Sequence, residues 1–254
     1  MSDYLLEVCV DTAAGVRAAA MSGADRIELC AALAVGGLTP SSGLMRLALE
    51  TGLDTRIMVR PRAGDFIYSA DELDVMRHDI EAAASIGLAG VVFGANHADG
   101  RLDIEVLDRL MHQARRYGLE TALHRSFDLA PDLSQALETT IALGFDTVLT
   151  SGGARSAPAG VDRLRDLVEQ ADGRIEILAG AGVTAANAGA ILMSGVKALH
   201  ASCSSQVPLR SPRAVDLGYV APEQRDTDPG LVAALRAALD THEAKPREDS
   251  HVVC

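Results

Sequence analysis

Apolar residues along this chain recur with two different periods. Short runs at 5–10, 26–30, 56–60, 90–94, 120–124, 146–150, 175–179 and 197–201 carry large aliphatics at every second position, the period of a strand. Between them, segments at 12–22, 42–50, 71–86, 104–117, 133–143, 161–171 and 185–193 follow the period of an amphipathic helix. Glycines at 52, 87, 118, 144 and 195 follow several of these segments, where a C-cap needs a left-handed residue. Ser69 or Asp71, and Thr184, stand at N-cap positions. Strands alternating with helices predict a parallel sheet, and eight of them predict an α/β chain closed as a (β/α)8 TIM barrel. A doubly wound open sheet is the alternative, but no GxGxxG opens a helix after the first strand. After the eighth strand, residues 202–227 are rich in Ser, Pro and Arg and read as a C-terminal loop able to fold over one end of the barrel. An extra helix follows at 229–242. The expected organisation is one TIM-barrel domain over 1–242 and a disordered tail over 243–254, with Cys254 exposed in that tail.

Composition fits this pattern. The chain of 254 residues is 48% hydrophobic but only 3% aromatic and has no Trp, which suits a core packed from aliphatics. A net charge of −12 argues against a nucleic-acid backbone or an anionic membrane surface as partner. The four cysteines contain no CxxC pair, and at this chain length they do not form a disulfide framework. No basic segment followed by an apolar one opens the chain, and no apolar run reaches the ~20 residues of a membrane span. The expectation is a cytoplasmic protein with reduced thiols.

Strand parity then separates the side chains that enter the barrel from those that lie under the helices. If Leu6, Val8 and Val10 face the helices, Glu7 and Cys9 face inward. The same rule turns Glu28 and Cys30, Met58 and Arg60, Ala122 and His124, and His200 and Ser202 inward. Barrel interiors are normally layers of branched aliphatics, and burying an unpaired charge is expensive. Glu7, Glu28, Arg60 and His124 are therefore candidates for catalytic groups, with a purely structural ion network as the alternative. Loops at the same end offer an anion site. Strand six runs into Ser151-Gly152-Gly153, strand seven into Gly180-Ala181-Gly182 directly before a helix, and strand eight ends near Ser202. Tight βα turns explain the same glycines equally well. Asp65 and Asp128 fit as N-caps or loop anchors.

The motifs LEVCVD, ADRIELC, GGLTPS, RPRAGDF, GVVFGA, HRSFD, VLTSGG, AGAGV and a final HAS occur in that order over about residues 4–203. In this the sequence resembles the CutC copper homeostasis proteins. The resemblance implies a (β/α)8 barrel, a cytoplasmic location, a homo-oligomer (dimer or tetramer) and a role in handling copper. It also implies Cu(I) ligands at Cys9 and Cys30, matching the cysteines of the family's first two strands. Three positions depart from the family pattern. Ala181 stands where a third Gly is frequent, Ser126 where Ala is usual, and Ser202-Cys203-Ser204 lacks the family's closing Arg, a role left to Arg210 or Arg213.

Three functions remain open from the sequence. Cu(I) favours thiolates, and Cys9 and Cys30 lie on adjacent strands. An isomerase, lyase or hydrolase acting on a small anionic or phosphorylated metabolite would use Glu7 or Glu28 as base and acid. His124 would then shuttle a proton and Arg60 would neutralise an oxyanion. A non-catalytic barrel that binds the same metabolite is the third.

Overall fold

A computed structural model describes residues 3–208 and 211–243 of the chain. Eight parallel strands close into a barrel in sequence order: β1 (Leu5–Val10), β2 (Arg26–Leu29), β3 (Asp54–Met58), β4 (Gly90–Phe93), β5 (Glu120–Leu123), β6 (Thr147–Thr150), β7 (Glu176–Ala179) and β8 (Ala198–Ala201). β8 pairs back onto β1, with Glu7 opposite His200. On its other side β1 pairs with β2, which sets Cys9 opposite Glu28. The helices between them are α1 (Ala13–Met21), α2 (Ser42–Leu49), α3 (Ala70–Ile86), α4 (Ile104–Arg116), α5 (Leu133–Leu143), α6 (Val161–Ala171) and α7 (Ala185–Leu192). The fold is the (β/α)8 TIM barrel that the two periods predict.

Local chemistry sets the element ends. Ser69 and Glu72 form a reciprocal capping box at the start of α3, and Thr184 and Asn187 form another at α7. Gly87 and Gly144 end α3 and α5 at φ +93° and +78°, where a side chain would be strained. β3 starts at Asp54, two residues before the apolar alternation becomes visible. The reason is that the inward residue there is Arg56, a buried cation rather than an aliphatic.

Residues 202–227, expected to be a loop, contain regular structure. Strands β9 (Ser204–Val207) and β10 (Gln224–Thr227) pair antiparallel around a short helix, α8 (Pro212–Asp216). Their sequences SSQV and QRDT have no apolar alternation, and nothing local links two segments this far apart. α9 (Pro229–Glu243) then packs against α1 and α7, burying Val232, Leu235 and Leu239 completely, and so fills the place of the eighth barrel helix. The expected tail, with Cys254, lies outside the described residues from 244 onward, as does Arg210.

The outward faces of the strands and the inner faces of the helices form one continuous aliphatic core. Inside the barrel, smaller apolar layers remain. Cys30, Met58, Val92 and Ala122 cluster with Leu33, and Leu149, Leu178 and Ala198 with Leu5. Deeper, toward the strands' N-terminal ends, polar groups replace them. Arg26 donates through Nε to Glu7 Oε2 (2.5 Å) and through Nη2 to Glu176 Oε1 (2.8 Å). Thr147 Oγ1 donates to Glu176 (3.0 Å) and accepts from Arg56 Nη1 (2.8 Å), and Arg56 Nη2 pairs with Glu120 Oε2 (2.8 Å). A chain of charges thus crosses the barrel floor from Glu7 to Glu120.

Candidate functional site at the barrel mouth

The C-terminal ends of the strands open into a cavity of about 1840 Å³, bounded on the far side by residues of the β9–β10 hairpin and α9. Cys9, Glu28, Arg60, His124 and His200 all line it. The register explains the first cluster. β1 lies between β2 and β8, so Cys9, Glu28 and His200 meet where the three strands end. One ligand atom from each lies within 4.8 Å of the others, and all three residues are buried. His200 Nδ1 is hydrogen-bonded to Glu7 Oε1 at 2.8 Å, while its Nε2 lies 3.7 Å from Glu28 Oε2. Glu7 is therefore shared between the charged floor and the mouth, with Arg26 on one oxygen and His200 on the other.

The two carboxylates are pushed in opposite directions. Burial opposes ionisation of Glu7, but the His200 hydrogen bond and the Arg26 charge outweigh it and hold the group at about 2. Glu28 lacks such donors, and burial pushes it above the usual carboxylate range. Its Oε1 is buried with no hydrogen-bond partner among the described residues. Burial works against a charged His200 as well, yet Cys9, Glu28 and Glu7 around it raise its pKa well above that of a free imidazole. The Cys30 thiol donates to Glu28 Oε2 (3.6 Å), and burial beside that carboxylate pushes it well above a normal thiol. Cys30 also belongs to the apolar layer with Met58 and lies against Gly37, where a Cβ would come within 3.0 Å of its sulfur. Cys203 lines the cavity too, and burial pushes its thiol up to about 11.

Arg60, after β3, and His124, after β5, form a second cluster, both against the Phe66 ring. The guanidinium carbon lies 4.9 Å from the ring centroid, and the imidazole centroid 4.7 Å from it. Gly94 makes room for His124, since a Cβ there would lie 2.6 Å from its Nδ1 and 2.2 Å from Ser126 Oγ. Burial and the nearby Arg60 charge lower His124 to about 3.

The loops named as an anion site are placed differently from one another. Ser151 and Gly153 direct their backbone N–H groups to the Asp128 carboxylate (3.1 and 3.0 Å), and Gly152 N–H goes to Thr150 Oγ1 (2.9 Å). Asp128 also accepts from Arg125 Nε (2.8 Å), so the chain's own carboxylate fills this nest. Gly180 donates to Thr150 O, whereas Gly182 is exposed beside the N-terminus of α7. Ser202 is exposed and bonds Ser204 Oγ at 3.1 Å. Asp65 pairs with Arg62 (3.0 Å) in the loop after β3, and Arg213 is exposed on α8.

Sequence reasoning did not single out Arg26, Arg56, Glu120, Thr147, Glu176 or Phe66. A signal existed for five of them. Arg26, Arg56 and Glu120 each stand two residues before an inward residue already assigned, and Thr147 and Glu176 keep the same parity two residues before Leu149 and Leu178. Nothing local marks Phe66, which reaches the site from a loop.

Fold and site together define a parallel (β/α)8 barrel with a buried Cys–Glu–His group and an Arg–His pair at its C-terminal mouth. The CutC family model matches residues 4–205. A family protein CutC from Sinorhizobium medicae is 50% identical over 246 residues, 96% of this chain and 100% of that protein. One from Caulobacter vibrioides is 52% identical over 238 residues, 92% and 96% of the two chains. The chain belongs to the CutC family. A crystal structure from Streptococcus agalactiae, described as a candidate copper homeostasis protein CutC, superposes with a TM-score of 0.74 at 33% identity, covering 78% of this chain and 98% of that one. Thiamine phosphate pyrophosphorylase from Pyrococcus furiosus shares the fold alone, with a TM-score of 0.58 at 16% identity over 95% and 98% of the chains.

Proposed function

We propose that this protein holds Cu(I) as cargo at the barrel mouth, with Cys9 and His200 as principal donors and Glu28 beside them. The observation that carries this reading is the buried Cys9–Glu28–His200 group, with its ligand atoms within 4.8 Å of one another. Thiolate is the ligand type Cu(I) prefers, and imidazole suits copper as well. His200 is also supported as ligating histidines usually are. A carboxylate, Glu7, holds Nδ1 at 2.8 Å and leaves Nε2 toward the site. The unpartnered Glu28 Oε1 offers a free lone pair to an electrophile at the same place. Cys30 is the second sulfur of the proposal, hydrogen-bonded to that same Glu28 carboxylate. The copper homeostasis role ascribed to the Streptococcus agalactiae structure points the same way. The reading includes a cytoplasmic location, where thiols stay reduced, and assembly as a homodimer or homotetramer.

An anaerobic Cu(I) titration in competition with a chromophoric chelator tests the proposal. Wild type is expected to bind one Cu(I) per chain. Glu7→Gln, which loosens His200, should weaken binding by about 10–100-fold, the usual cost of losing the partner of a ligating histidine. Cys9→Ser should weaken it further. A Cys9→Ser/Cys30→Ser variant that binds one Cu(I) with wild-type affinity would overturn the reading.

A further inference from the structure

We infer that the barrel mouth also binds a small organic carboxylate, held by Arg60 Nε–H and His124 Nε2–H. Neither residue belongs to the Cys9–Glu28–His200 group, so the inference stands apart from the copper proposal.

Arg60 is only 4% exposed, yet no carboxylate lies within ion-pair distance of its guanidinium among the described residues. Nη1 donates to Val35 O (2.9 Å) and Gly37 O (3.1 Å), and Nη2 to Gly64 O (2.7 Å). These carbonyls satisfy hydrogens but supply no countercharge, and Nε has no partner among the described residues. A buried cation without a counterion is costly, and buried charges are ordinarily paired. His124 adds the second donor. Its Nδ1 accepts from Ser126 N–H at 3.1 Å, which places the ring proton on Nε2, and Nε2 also lacks a partner among the described residues although the residue is only 3% exposed. Two unpaired N–H groups and one unpaired positive charge thus meet around a single aromatic ring.

Charge selects the ligand class. One buried positive charge balances one carboxylate, whereas a phosphate dianion would leave an excess negative charge beside Arg60. The nest of backbone N–H groups after β6, which would suit a phosphate, is filled by Asp128. The half-buried Phe66 ring packs against both side chains from its loop.

The test uses the full chain freed of metal by a chelator, titrated calorimetrically with acetate, glycolate and inorganic phosphate. Proton NMR follows the His124 Nε2–H in parallel. Acetate or glycolate should bind wild type and shift the Nε2–H resonance downfield. His124→Phe should lower affinity by about tenfold or more, the scale of one hydrogen bond to a charged group. Arg60→Lys should weaken binding as well, but Arg60 also ties down two loops, so the His124 variant decides. The inference fails if neither carboxylate binds beyond an equal concentration of chloride, if His124→Phe binds with unchanged affinity, or if phosphate binds more tightly than both carboxylates.

Discussion

The Oγ of Ser126 is fully buried and has no hydrogen-bond partner among the described residues. An unsatisfied buried hydroxyl lowers stability, so Ser126→Ala should leave it unchanged or raise it by up to about 1–3 kcal/mol in urea denaturation. A clear loss would show that the hydroxyl is bonded. The neighbouring His124 makes a pH prediction. Its pKa is depressed to about 3 in the folded chain, from an ordinary imidazole value of about 6.5. Between these values the unfolded chain binds a proton that the folded one does not, so stability rises with pH. The His124 contribution is complete above about pH 6.5 and is lost as pH falls toward 3. His124→Phe should flatten the stability–pH curve by up to one proton across that window, and a curve of unchanged slope would contradict the neutral buried imidazole.

At the level of elements, the loop between β7 and α7 holds Ala181 at φ +75°, a left-handed conformation costly for a residue with a Cβ. Replacing it by Gly should stabilise the protein by about 0.5–1 kcal/mol, since part of the relief is offset by the entropy of glycine when unfolded. Thermal denaturation with Gly182→Ala as the opposing control checks this. Gly182 is also left-handed, at φ +71°, and its variant should lose stability. The strands and most helices were legible at this scale because each carries its own period and caps. The β9–β10 hairpin was not, because polar SSQV and QRDT pair through backbone bonds that leave no pattern in the side chains. Neither could spacing reveal that Asp128 would occupy the loop after β6, since that contact joins residues 25 apart in the chain.

For the whole molecule, the charged floor is the most demanding feature. Glu7 and Arg26 are 1% and 6% exposed, and Glu7 is further tied to His200 at the mouth. Arg26→Met leaves a buried carboxylate without its cation and should cost about 3–5 kcal/mol, seen as a lower urea midpoint with an unchanged m-value. A Glu7→Gln/Arg26→Met pair should recover part of that loss, whereas strictly additive losses would mean that the two side chains do not share one network. Closure of the barrel wall is a property of the same scale. α9, beyond the segment matched by the family model, supplies the apolar cover between α1 and α7.

By itself the sequence determined the barrel, the parity of its strands and the list of polar side chains turned inward, because period and parity are written locally in each strand. Tertiary structure decided how those side chains divide into sites. Strand register brought Cys9 to Glu28 and His200 and gave Glu7 a double attachment. It left Cys30 in the apolar layer with Met58. Loop packing set Arg60 and His124 around Phe66 with one unpaired N–H each. The physical reason is that hydrogen bonds and ion pairs act over about 3 Å between strand ends far apart in sequence. Only closure of the barrel fixes those distances.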